Sequence, residues 1–115
     1  METQEIEFFS KNQQQEVIIN NIGFRFNHEE KERLKEAFLT QCLNFSKRFK
    51  IIIVIKELAS NRYIVNLTLT YQESSVIMKT QSDSAYDFCY KLFDKLPSIT
   101  TNLISYIEAK REELM

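Results

Sequence analysis

A chain of 115 residues with 43% apolar and 27% charged side chains has the length and make-up of one globular domain. A single glycine and a single proline exclude a disordered, collagen-like or linker-rich chain. The net charge is only −1, but it is unevenly placed.

Residues 1–15 are polar, with Gln13-Gln14-Gln15 at their end, and read as a flexible arm. Phe8 and Phe9 are the exception, and the alternative is that this pair docks on the domain. The domain itself is placed at 16–115. Glu16–Phe26 has the β-branched and aromatic make-up of a strand, with Ile22, Phe24 and Phe26 alternating with Gly23 and Arg25. Asn20-Asn21 and Gly23 point to a bulge or bend.

Asn27-His28-Glu29-Glu30 is a helix start in which Asn27 caps and Glu30 reaches back. The helix is expected over about 27–45. Leu34, Phe38, Cys42 and Phe45, then Phe49, recur at three or four and form one buried stripe.

Three strands follow, at Lys50–Leu58, Arg62–Tyr71 and Ser75–Gln81. Ile51-Ile52-Ile53-Val54-Ile55 is a continuous β-branched run, as in a central strand covered on both faces. Val65, Leu67, Leu69 and Tyr71 alternate with a more polar set, as in a strand with one apolar face.

Ser84 caps a last helix, expected to run to about 112. Ala85, Cys89, Leu92, Leu96, Ile99, Leu103 and Ile107 keep its stripe in phase. Pro97 falls inside, where it removes a donor and crowds the preceding turn, so a kinked helix is expected.

Each helix has one apolar stripe, and the sheet is the surface available to bury both. The expected fold is a two-layer α+β sandwich in the order β-α-β-β-β-α. It has a four-stranded, mainly antiparallel sheet with two helices on one face. The order resembles a double-stranded-RNA-binding domain with an extra leading strand.

Charge and chemistry narrow the function. Residues 31–62 carry eight bases (Lys31, Arg33, Lys35, Lys47, Arg48, Lys50, Lys56 and Arg62) against three acids, while residues 1–30 carry two bases and six acids. The central segment is either a local positive patch or a solvated helix face with solubilising loop charges. Cys42 and Cys89 sit on two different helix stripes, as buried reduced thiols do. Together with the lone His28 they have no metal-ligand spacing. One glycine allows no phosphate-binding loop, and His28 has no nucleophile placed for it, so no catalysis, cofactor or metal is expected. No apolar run reaches membrane-helix length, the first residues lack a signal pattern, and the expected compartment is the cytoplasm.

Ile18-Ile19-Asn20 on the first strand, Phe38 and Phe45 on the first helix, and Val54-Ile55-Lys56 on the next strand resemble the short ribosome hibernation-promoting and ribosome-associated inhibitor family. So do Ser84-Ala85-Tyr86 and Asp94-Lys95-Leu96 on the last helix. The likeness spans about 16–105. The chain departs from the family where a basic run would follow Leu96: here stands Pro97-Ser98-Ile99-Thr100-Thr101-Asn102. It also has Ser84 where the family has Asp.

The resemblance implies a non-catalytic protein that binds rRNA on the small ribosomal subunit during slow growth and blocks the mRNA and tRNA channel. Lys47, Arg48, Lys50, Lys56, Arg62, Lys79, Lys91 and Lys95 are the candidate phosphate contacts. The alternative is a diverged protein-interaction module or weak homodimer without RNA affinity, using Leu103, Ile104 and Ile107 on the last helix.

Overall fold

The computed structural model describes residues 1–114. In chain order it has β1 (Thr3–Phe9), β2 (Gln15–Ile22), α1 (His28–Cys42), β3 (Phe49–Ala59), β4 (Arg62–Tyr71), β5 (Ser74–Ser82), α2 (Ala85–Asp94) and α3 (Leu96–Leu114). The strands form one sheet in sequence order, β1-β2-β3-β4-β5. β2 and β3 run parallel, with α1 as the crossover such a pair needs. The other pairings are antiparallel.

The α+β class and the single helical layer are as expected, but the sheet has five strands rather than four. The extra one comes from the segment read as a flexible arm. Gln4, Ile6, Phe8 and Ser10 are buried and alternate with exposed Glu5, Glu7 and Phe9. Ile6 stands opposite Ile19, and Phe8 opposite Val17. The Phe8 ring lies 6.2 Å from Phe38 and 6.3 Å from Phe93, tying β1 to α1 and α2. Burying each of these side chains contributes about 1.5–3 kcal/mol.

Gln4 disguised the strand, because its amide is buried by pairing with the backbone of Phe26 and the side chain of Asn21; at the start of β2, Gln15 is also buried. Gln4 Oε1 accepts from the Phe26 amide at 2.8 Å and from Asn21 Nδ2 at 3.0 Å, while its Nε2 donates to the Phe26 carbonyl at 3.1 Å. Gln15 Nε2 donates to the carbonyls of Phe45 (3.1 Å) and Lys47 (2.6 Å), fixing the loop between α1 and β3.

β2 stops at Ile22, short of the expected Phe26. Gly23, at φ +89°, turns the chain out of the strand and donates to the Glu2 carbonyl at 2.7 Å. The capping box at α1 forms as expected: Asn27 Oδ1 accepts from the Glu30 amide at 2.8 Å, and Glu30 Oε1 from the Asn27 amide at 2.9 Å. α1 ends at Cys42, three residues before Phe45, which packs in the following loop at 5.6 Å from Phe49.

The expected last helix is two helices broken at Lys95. Lys95 caps α2 at φ −109°, ψ 20°, and its carbonyl accepts from the Ile99 amide to begin α3. Pro97 thus falls in the first turn of α3, where a missing N–H costs nothing.

Buried residues on every strand from β1 to β4 share one side. Val17, Ile19 and Asn21 stand beside Ile51, Ile53 and Ile55, which stand beside Leu69, Leu67 and Val65. Leu34, Phe38, Cys89, Phe93, Leu96, Ile104 and Ile107 close the core from the helices. Leu103 is half-buried against it. Ile104 and Ile107, at 3% and 4% exposure, are therefore core and not a partner surface. The α3 stripe runs through Thr100 and Ile104, one residue round from the expected Ile99 and Leu103.

Candidate nucleic-acid interface

Among the described residues the second side of the sheet carries no helix, and its rows follow from the register. One row reads Glu5, Asn20, Val54, Asn66, Lys79 from β1 to β5. The next reads Glu7, Ile18, Ile52, Thr68, Ile77. Outside these lie Phe9, Glu16, Lys50, Thr70, Ser75 at one end and Thr3, Ile22, Lys56, Ile64, Gln81 at the other. This open face is electrically divided: Glu5, Glu7 and Glu16 lie on β1 and β2, while Lys50, Lys56 and Lys79 lie on β3 and β5. Between them Ile18, Ile52 and Val54 are interspersed with Asn20, Asn66 and Thr68.

Lys50 and Lys56 are six residues apart on one strand, hence about 20 Å apart. Arg48 precedes β3 at the Lys50 end, and Arg62 opens β4 just past the β3–β4 turn, at the Lys56 end. Both are exposed. Five of the eight candidate cations therefore belong to the open face or its two ends.

The other three do not join them. Lys47 Nζ lies 3.9 Å from Glu108 Oε1 and 5.9 Å from the centroid of the Tyr71 ring, so it ties the loop after α1 to α3 and the end of β4. Lys91 and Lys95 stand on α2 and at its C-cap, on the helical layer, and rim a cleft of about 520 Å³ beside β5. A single surface holding all eight residues does not form.

Two groups stand out in the structure more than in the sequence. Tyr86 and Tyr90, one turn apart on α2 with ring centroids at 6.0 Å, line a groove against α1 with Arg33, Thr40 and Asp94. Their four-residue spacing at the start of a helix was the available signal. Arg111 of α3 donates to Ser74 Oγ at 3.1 Å, Gln72 Oε1 at 2.7 Å, the Tyr71 carbonyl at 3.0 Å and the Gln72 carbonyl. It holds a tight turn in which Gln72 and Glu73 both have positive φ, +49° and +69°. Nothing local marks Arg111 for this role, since the turn lies 39 residues away.

Cys42 and Cys89 are free and buried. Burial pushes the Cys42 thiol up to about 11 and the Cys89 thiol up to about 12, so both are protonated at neutral pH. Among the described residues no three His, Cys, Asp or Glu side chains gather as a metal site would require, and no helix is long and apolar enough to cross a membrane.

No family model and no curated protein matches the sequence. Solved structures do match the fold. The N-terminal domain of Protein Y from Thermus thermophilus superposes with a TM-score of 0.51 at 9% identity, covering 76% of this chain and 93% of that one. A ribosomal subunit interface protein from Coxiella burnetii superposes with a TM-score of 0.50 at 16% identity, covering 80% of this chain and 96% of that one. At these identities the likeness shows a shared fold.

Proposed function

We propose that this protein is a non-catalytic, cytoplasmic translation inhibitor that associates with the ribosome and binds rRNA on the small subunit. The observation that carries the reading is the fold shared with a ribosomal subunit interface protein over 96% of that protein's length. The open sheet face supports it. Lys50, Lys56 and Lys79 present flexible ammonium groups, with Arg48 and Arg62 at the ends, and such groups neutralise phosphates and release counterions. The acids of β1 and β2 repel the same phosphates. RNA is therefore steered to the β3–β5 half and held in one orientation. Recognition is of backbone and shape, as suits a folded RNA helix. The reading is non-catalytic, and the two buried, protonated thiols are consistent with it.

Fluorescence anisotropy with structured small-subunit rRNA fragments tests the site. Binding weakens steeply with salt, and replacing Lys50, Lys56 and Lys79 together by Ala lowers the salt slope by roughly 2–3 units, at about 0.7–0.9 for each phosphate no longer neutralised. Replacing Lys91 and Lys95 leaves the slope in place. A slope unchanged by the triple substitution rejects the open face as the site.

A further inference from the structure

The groove between α1 and α2 encloses about 510 Å³. Arg33, Glu36 and Thr40 stand on one wall, and Tyr86, Tyr90 and Asp94 on the other. From Arg33 to Thr40, and from Tyr86 to Asp94, each helix rises about 10–12 Å. That length accepts about three to four residues of extended chain. The Tyr86 and Tyr90 ring centroids are 6.0 Å apart with the rings tilted by 31°, and Tyr90 is 43% exposed.

The groove is acidic. The Arg33 guanidinium is held by Glu29 of its own helix. Glu36 and Asp94 have no ion-pair partner among the described residues. Lys31 and Lys35 of α1 lie outside the walls, and Asp87, Lys91 and Lys95 line the cleft on the β5 side of α2 instead. The helix ends add to the negative charge. Asp94 is the last residue of α2, where the helix dipole already places partial negative charge. α1 has no base in its last turn. The starts of both helices border one hollow, with Glu30 beside Tyr86, so the helices run the same way and their negative ends share one end of the groove. Aromatic faces beside unpaired carboxylates attract a cation. A guanidinium suits them best, because it stacks on a ring and pairs bidentately with a carboxylate. The same carboxylates repel phosphate, which sets this groove apart from the open sheet face.

We propose that this groove binds an extended, arginine-bearing segment of a partner protein. One guanidinium stacks on Tyr90 and pairs with Asp94. A second, two residues along the segment and so on the same side of it, reaches Glu36. The bound cations offset the adverse acid at the end of α2. The groove lies on the helical layer, away from the open sheet face, so the proposal stands or falls apart from the RNA reading.

An NMR titration of the full chain with the peptide Gly-Arg-Gly-Arg-Gly tests it. The Tyr86 and Tyr90 ring resonances shift and saturate. The same peptide with citrulline for arginine, which keeps the shape and loses the charge, leaves them in place. Glu36→Gln with Asp94→Asn raises the dissociation constant about tenfold or more. Tyr90→Ala raises it about 2–30-fold. Glu112→Gln with Glu113→Gln, an equal loss of charge on α3, leaves it within about twofold. The triple alanine variant at Lys50, Lys56 and Lys79 still binds the peptide. All the groove and α3 side chains replaced are exposed, and circular dichroism checks that each variant is folded. Rings unmoved by the arginine peptide at millimolar concentration overturn the proposal, as does an affinity indifferent to Glu36→Gln with Asp94→Asn. Ring shifts produced by structured RNA and not by the peptide also overturn it.

Discussion

The two edge strands of the sheet, β1 and β5, are similar in length and opposite in finish. On β1 the helix-facing residues from Gln4 to Phe8 are buried, its polar anchor is bonded to the backbone, and its exposed residues include Glu5 and Glu7. On β5 no residue is buried, and an apolar cleft opens beside Met78. A strand that feeds the core is stabilised by its own side chains. A strand that does not is held by its neighbour's ladder and its turn, and its surface is free for a partner. The finished edge is also the acidic one, and the unfinished edge borders the basic half of the open face.

Substitutions break or sharpen this contrast. Phe8→Ala removes the ring that joins β1 to α1 and α2, and costs about 3–5 kcal/mol in chemical denaturation. Ile77→Ala, on the exposed side of β5, changes stability by no more than about 0.5 kcal/mol. Equal losses at the two positions would abolish the distinction. Gln4→Ala leaves the Phe26 amide and Asn21 without their acceptor, at roughly 1–3 kcal/mol. Amide hydrogen exchange then rises first at Phe26 and along β1.

The β4–β5 turn gives an effect of the opposite sign. Gln72 and Glu73 hold left-handed backbone that costs an ordinary residue roughly 1–2 kcal/mol each. Asn-Gly in their place suits a tight hairpin and raises stability by about 1 kcal/mol. No gain in the denaturation midpoint would mean that Arg111 already offsets the strain. A further effect is with pH. The Cys89 thiol is raised from 9.0 to about 12 by burial, so its folded value lies above its unfolded one. That contribution is complete at neutral pH and is lost as pH rises from 9 toward 12. Melting temperature therefore falls above about pH 9, and Cys89→Ala flattens the fall.

Much of the core was legible in the sequence because periodicity reports burial directly. Leu34, Phe38 and Cys42, then Val65, Leu67 and Leu69, lie where their spacing put them. β1 was missed for a physical reason. Gln4 and Ser10 look like surface residues, and only the distant Phe26 and Asn21 show why Gln4 can be buried. The strict alternation Gln4, Ile6, Phe8, Ser10 against Glu5, Glu7, Phe9 was nevertheless present. Pro97 lies in the first turn of α3 and not inside one kinked helix, because a stripe in phase does not distinguish a kink from a restart at Lys95. The site was legible in part: Lys50, Lys56 and Lys79 share a face because of register, which charge counting does not contain. Lys47 is drawn instead to Glu108, a partner far along the chain.

Sedimentation of the purified protein with small ribosomal subunits through sucrose gradients tests the ribosome reading most directly. At low salt the wild type travels with the subunit, and the Lys50, Lys56 and Lys79 triple alanine variant stays near the top of the gradient while remaining folded. A wild type that stays at the top at low salt contradicts ribosome association, and a triple variant that still travels with the subunit contradicts the open face as its site.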